Sequence, residues 1–155
     1  MHHQVPASVR ELCDAVAQAC EGIAAVRAAY LFGSRARGSA RADSDLDVAV
    51  DRGPTLGAVE RGRVRLHLIA ALTDRLGALG EKADVLDLRA AAPAVAFRVL
   101  REGKLVKETS RRERVQLEAR IMRAYDDDAP RRALFLRAAK RVAQQMGRDA
   151  QRGRC

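Results

Sequence analysis

Tryptophan is absent from the chain, and two tyrosines and three phenylalanines are its only other large rings in 155 residues. Its core must therefore be packed from Ala, Leu and Val, which favours helices laid against a small sheet. Cys13, Cys20 and Cys155 are an odd number with no zinc-like spacing and no neighbouring His pairs, which excludes a disulfide framework and a zinc centre. Cys13 and Cys20 lie seven apart in a helical pattern and read as core. No apolar run reaches the ~18 residues of a membrane span and no signal-peptide pattern appears, so no membrane is expected and a reducing cytoplasm is the expected setting. Repeats and low-complexity linkers are also missing. His2 and His3 are native residues or tag remnants and are set aside.

Negative charge is the remaining shortage, with 20 Asp and Glu against 29 Lys and Arg, for a net charge of +9. The imbalance is local. Residues 1–106 carry 15 cations against 13 anions, and residues 107–155 carry 14 against 7. A basic tail of this kind suits an acidic partner, a nucleotide site, nucleic acid or plain solvation of a helical surface. The length fits one domain with a real core.

The chain is organised around Tyr30 to Asp51. An apolar run, Ala28 to Phe32, stops at Gly33-Ser34, and Asp45-Leu46-Asp47 opens a second apolar run. The pattern reads as strand, tight turn, short helix, strand. Asp45 and Asp47 share one face of an extended segment, about 6–7 Å apart along the backbone, and can share a divalent cation. Gly33 permits a tight turn, and Ser34 adds a hydroxyl and an amide where unpaired N–H groups favour phosphate oxygens. Mg2+ prefers a few carboxylates and leaves its other positions to water and substrate phosphates. An anion cradle beside a metal clamp implies nucleotidyl transfer from a nucleoside triphosphate. Either half alone is commonplace, Gly-Ser as a turn and Asp-x-Asp as a solvated strand face or calcium loop. The two together, leading into an apolar strand, are far rarer.

At these residues the chain resembles the minimal nucleotidyltransferase family of the DNA polymerase beta superfamily. Gly33-Ser34, ten residues, then Asp45-x-Asp47 carry the likeness, joined by Arg35, Arg37, Gly38 and Ser44. It extends more weakly through Ala83 to Leu88 and Phe97 to Val106, about two-thirds of the chain in all. The short frame and later segment are similar to the antitoxin branch that is paired with a HEPN ribonuclease toxin. The resemblance implies transfer of AMP from ATP to a tyrosine of that toxin, with Mg2+ as cofactor. Asp45 and Asp47 would bind the metal. Gly33, Ser34, Arg35 and Ser44 are the nucleotide-binding candidates, and an acid on a third strand would help the acceptor hydroxyl lose its proton. Asp84 and Asp87 are the candidates for that acid. Three apart, they face opposite ways, and the family pattern favours Asp84 as the third catalytic residue.

The expected fold is α/β, a small mixed sheet with the acids on one edge, helices packed behind, and a helical C-terminal extension. Residues 1–106 are expected to form the nucleotidyltransferase domain and 107–155 a basic helical extension of it. Ser8 and Glu11 make a capping box for a first amphipathic helix, and Ala25 to Phe32 follows as a strand. Leu56 through Leu79 reads as one helix with Val59, Arg63, Leu66, Ile69, Leu72 and Leu76 in its periodic set. Pro93 starts a helix to Glu102, in which Arg98 and Arg101 reach phosphate or solvent, and Lys104 to Val106 is a short strand. A helix from Ser110 halts at Asp126-Asp127-Asp128, read as a loop that caps the next helix. The last helix spans Arg131 to Met146, and Gly147 to Cys155 is expected to fray.

Two functional classes fit these residues. One is the adenylyltransferase antitoxin; the other is a non-catalytic module that covers a ribonuclease or holds nucleic acid with its tail. The intact clamp favours the enzyme. Among enzymes, an aminoglycoside-type transferase is the runner-up, but two helices leave little room for a drug-binding domain.

Overall fold

Alternation along one short strand sets the architecture. β1 (Ala28–Phe32) is buried at all five positions because both of its faces are covered. Ala29 and Leu31 enter one apolar cluster, and Ala28, Tyr30 and Phe32 enter a second on the opposite face. A strand buried on both sides is continuously apolar, as this run is. The computed structural model describes residues 8–152.

Around β1 the chain lays down α1 (Val9–Glu21), α2 (Gly33–Ala36), β2 (Leu46–Asp51), α3 (Ala58–Leu76), α4 (Ala78–Glu81), β3 (Ala83–Asp87), α5 (Pro93–Glu102), β4 (Lys104–Glu108), α6 (Arg111–Asp127) and α7 (Ala129–Arg152). The sheet order is β3-β2-β1-β4. β1 is antiparallel to β2 and β4, while β2 and β3 run parallel, joined by α3 as the crossover. The sheet is mixed, as expected. Helices cover both faces, not one. Leu12, Val16 and Cys20 of α1 and Val64, Leu68 and Leu72 of α3 pack on the first face, whereas Ala96 and Val99 of α5 and Leu117 and Ile121 of α6 pack on the second.

The α1 capping box is present, with the Ser8 hydroxyl accepting from the Glu11 amide at 3.2 Å and the Ser8 amide donating back to the Glu11 carboxylate at 2.7 Å. Several expected boundaries move. β1 starts at Ala28 and not Ala25. The helix expected to reach Leu79 breaks at Gly77, whose φ of 57° ends α3, and Gly80 lies inside the separate short α4. The buried stripe of α3 is Val64, Leu68 and Leu72, while Val59 and Leu66 are 64% and 67% exposed and Arg63 is exposed too, so three members of the periodic set face water. Alternative apolar stripes on a helix with Val and Leu on several sides are separated only by what packs against them. β4 continues to Glu108 and so runs through the boundary placed after residue 106, and α6 contributes to the core.

Asp126 and Asp127 lie in the last turn of α6, and only Asp128 caps it before α7 begins. The expected loop is nearly absent. α7 also continues through Gly147 to Arg152, so the fraying expected from residue 147 is not seen there; Cys155 lies outside the described residues, as do His2 and His3. Cys20 is buried and Cys13 is half-buried against the first cluster, both as free thiols.

Candidate active site at the open end of the parallel strand pair

Phe32 is the last residue of β1, and the chain turns at Gly33 with φ 74°, a conformation that L side chains avoid. A Cβ there would also collide with the Asp47 carboxylate. Gly33 is therefore required twice, once for the turn and once for the close approach of α2 to β2. The Ser34 carbonyl accepts from the Ser39 amide at 3.0 Å, and among the described residues nothing bonds its hydroxyl.

The connection between α2 and β2 is held from inside. Arg35 is 7% exposed, and its Nε and Nη2 donate to the Ser44 carbonyl at 3.0 and 2.6 Å. The Ser44 hydroxyl accepts from the Arg41 amide at 2.9 Å. These bonds fix the backbone immediately before Asp45. Arg35 and Ser44, candidates for direct nucleotide contact, are thus engaged with each other and with the loop.

The carboxylates converge by register. Asp47 is paired with Asp84 across the parallel strands and with Phe32 across the antiparallel pair. Alternation places Leu46, Val48, Val50, Ala83 and Val85 in the first core cluster, so Asp47 and Asp84 share the opposite face. Asp45, exposed, precedes β2 by one residue, and Asp84 is 67% exposed. Asp47 is half-buried, and its pKa is raised above the usual carboxylate value by burial first, then by the charge of Asp84, then by that of Asp45. Arg37 and Arg98 pull it back down. Asp84 and Asp45 thus both act electrostatically on Asp47.

Asp87 is placed elsewhere. It faces the other side of β3 and pairs with Arg52 at 2.6 Å, the two side chains being 11% and 8% exposed. Arg52 also donates to the Arg61 carbonyl of α3 and leaves its Nε buried without a partner among the described residues. Asp87 is a largely covered structural partner of Arg52, separate from the acid cluster.

Residues 15–112 match the family described as polymerase beta, nucleotidyltransferase. The chain belongs to that family. A curated relative, the protein adenylyltransferase MntA of Shewanella oneidensis, is 33% identical over 75 residues, or 48% of this chain and 49% of that protein. The match thus spans about half the length of the relative. A solved toxin–antitoxin complex with AMP-PNP is 24% identical with a TM-score of 0.63, covering 82% of this chain and 98% of that one. A complex of tri-AMPylated Shewanella oneidensis HEPN toxin with MNT antitoxin is 22% identical with a TM-score of 0.60, covering 84% and 98%. At those identities the two complexes establish a shared fold.

Around the site of this family member, positive charge comes from side chains that sequence reading treated as optional. Arg37 pairs with Glu102 at 3.2 Å, and Arg98, one helical turn before Glu102, acts on Asp47. The i, i+4 spacing of Arg98 and Glu102 on α5 is the sequence signal that places them together. Arg65 of α3 approaches Asp84 to 3.8 Å, with both side chains more than half exposed, and no spacing in the sequence foretells it. Among the described residues no three acidic, His or Cys side chains form a closed metal cage. An open set of carboxylates suits Mg2+, which uses one or two of them and takes its remaining ligands from water and phosphate.

A cavity of about 350 Å3 lies at the other end of the sheet, lined by Arg27, Arg89, Glu113 and Arg120 among others. Arg89 is committed to buried Asp51 at 2.6 Å and Arg27 to Glu113, also at 2.6 Å. At the carboxylate end, by contrast, Asp45 and Asp84 are exposed and Asp47 is half-buried. Among the described residues no helix is long and apolar enough to cross a membrane.

Proposed function

We propose that this chain is a Mg2+-dependent protein adenylyltransferase that moves AMP from ATP to a tyrosine hydroxyl of a HEPN-type ribonuclease toxin, and so acts as its antitoxin in the cytoplasm. The observation that carries this reading is the Asp47–Asp84 register with Asp45 beside it, opposite the Gly33 turn. The likeness to the adenylyltransferase MntA supports the choice of ATP and of a protein acceptor.

The donor set fits a divalent cation because Asp47 is destabilised as an anion by burial and by its two neighbours, a cost that a bound cation offsets. Asp45 and Asp47 would hold it, and the metal would supply charge neutralisation at the phosphates. The Gly33-Ser34 turn receives the outer phosphates through its amide and hydroxyl donors, and Arg37 and Arg98 add positive charge. Arg35 acts indirectly by holding the Ser44 carbonyl and hence Asp45. Asp84 on the neighbouring strand takes the proton from the acceptor hydroxyl, whose solution pKa of about 10 calls for such help. The acceptor oxygen bonds to the alpha phosphorus, the bond from that phosphorus to the bridging oxygen breaks, and pyrophosphate leaves. An AMP group on the toxin adds a bulky anion that repels RNA phosphate.

The test is to incubate the purified chain with its HEPN partner, ATP and magnesium, and to measure intact masses. The partner should gain whole AMP units, and the gain should disappear when its acceptor tyrosine is changed to Phe. An unmodified partner whose RNase activity is nonetheless suppressed would assign the chain to inhibition by binding alone.

A further inference from the structure

From Ala133 to Arg148 every residue of α7 is exposed, whereas α6 buries Leu117 and Ile121. Leu134, Phe135, Val142 and Met146 are 65%, 72%, 58% and 68% exposed. At the α-helical repeat these four and Ala138 fall within one arc of about 120°; Lys140 lies opposite that arc, and Arg137, Arg141 and Arg148 flank its Leu134 edge. The 24-residue helix is about 36 Å long. The apolar stripe from Leu134 to Met146 covers about 18 Å of it, and such a stripe in water marks an interaction surface.

The root of α7 is tied to the candidate active site. The Arg132 guanidinium lies 3.6 Å from the centroid of the Tyr125 ring, and Tyr125 stacks on Phe97 at 4.0 Å. Phe97 precedes Arg98, whose charge acts on Asp47. At the carboxylate end Asp45 and Asp84 are exposed, and the 350 Å3 cavity is lined by residues at the far end of the sheet. A protein acceptor must then be held by contacts outside the site.

We infer that the apolar face of α7 docks the protein that receives the nucleotide, in an apolar groove with an acidic rim; this rests on the protein-acceptor reading above. Charge selects the occupant. Residues 133–148 hold four cations and no carboxylate, so a second copy of this helix would add only like charge, while an acidic rim complements it. Docking by α7 also brings the partner to the α5 side of the carboxylates.

The test uses the intact chain and the HEPN-fold protein of its source, with binding measured by calorimetry. Phe135→Asp with Val142→Asp should weaken binding about 100-fold or more, as loss of central apolar anchors does. Arg137→Glu with Arg141→Glu should weaken it more at low salt than at high salt. Melting and Mg2+-ATP binding of the isolated chain should stay unchanged in both variants. Transfer should show a raised KM for the partner with kcat retained. Unchanged partner affinity in the Phe135→Asp, Val142→Asp variant overturns the inference, and wild-type transfer in the same assay then leaves the enzymatic reading standing. Loss of binding in that variant when even the wild type transfers no AMP supports the surface and removes the enzymatic reading. If partner affinity survives but the variant loses self-association in sedimentation, flotation with phosphatidylserine vesicles, or binding to a short single-stranded RNA, the face belongs to a second copy, a membrane or nucleic acid, and the inference fails.

Discussion

Gly33 sits so close to Asp47 that a Cβ at position 33 would overlap the carboxylate. The contact ties the turn after β1 to the acid on β2, and it separates two effects that a glycine substitution usually mixes. Gly38 has nearly the same φ, 71° against 74°, but a Cβ there would meet only the Val9 side chain at 4.0 Å. Gly38→Ala and Gly33→Ala should each cost about 1–2 kcal/mol from left-handed strain. Only Gly33→Ala should also abolish Mg2+-ATP binding. Denaturant melts and calorimetry on the pair check this; equal nucleotide binding by both would remove Gly33 from the site.

Asp47 has a folded-state pKa above its unfolded value, so the folded protein favours its protonated form. As pH rises above the unfolded value of about 3.9, ionised Asp47 takes stability away from the metal-free protein. Asp47→Asn should therefore raise the melting temperature at pH 7, with the gain shrinking as pH falls toward that value. Added magnesium should raise the melting temperature of the wild type and leave the variant unmoved. Scanning fluorimetry with magnesium or a chelator at several pH values measures both effects.

Asp84 and Asp87 should separate function from stability. Asp87→Asn leaves buried Arg52 unpaired and should cost about 3–5 kcal/mol. Asp84→Asn, at an exposed side chain, should leave the melting temperature within error and lower AMP transfer about 10²–10⁴-fold. Loss of activity in Asp87→Asn at a temperature where it is fully folded, with Asp84→Asn active, would reverse the assignment.

Arg35 should behave as a positioning residue. Arg35→Ala removes two charge-assisted hydrogen bonds to the Ser44 carbonyl, and a bond to a charged group is worth about 1.5–3 kcal/mol net. Arg35→Lys should restore little, because an ammonium lacks the planar fork that reaches one oxygen from two nitrogens. Hydrogen exchange of the amides from Arg41 to Asp45 should rise in both variants. Unchanged exchange with lost ATP affinity would instead place Arg35 directly on phosphate.

Local rules made much of this protein legible from its sequence alone. The Ser8–Glu11 box, the apolar run of β1, the Gly33-Ser34 turn and the Asp45-x-Asp47 spacing are contacts between near neighbours, and each appears where the residues call for it. Alternation in β3 likewise required Asp84 and Asp87 to face apart. What alternation could not supply was which of them meets Asp47, since that depends on the β2–β3 register and on Arg52 lying under Asp87. The buried stripe of α3 was closed to sequence for the same reason: Val59 and Leu66 fit a helical period as well as Val64 and Leu68 do, and only contact with the sheet and α1 chooses between them. Arg35 belongs to this class too. Its charge suggested a phosphate, but a guanidinium goes to the acceptor that folding buries beside it, and here that acceptor is the carbonyl of Ser44.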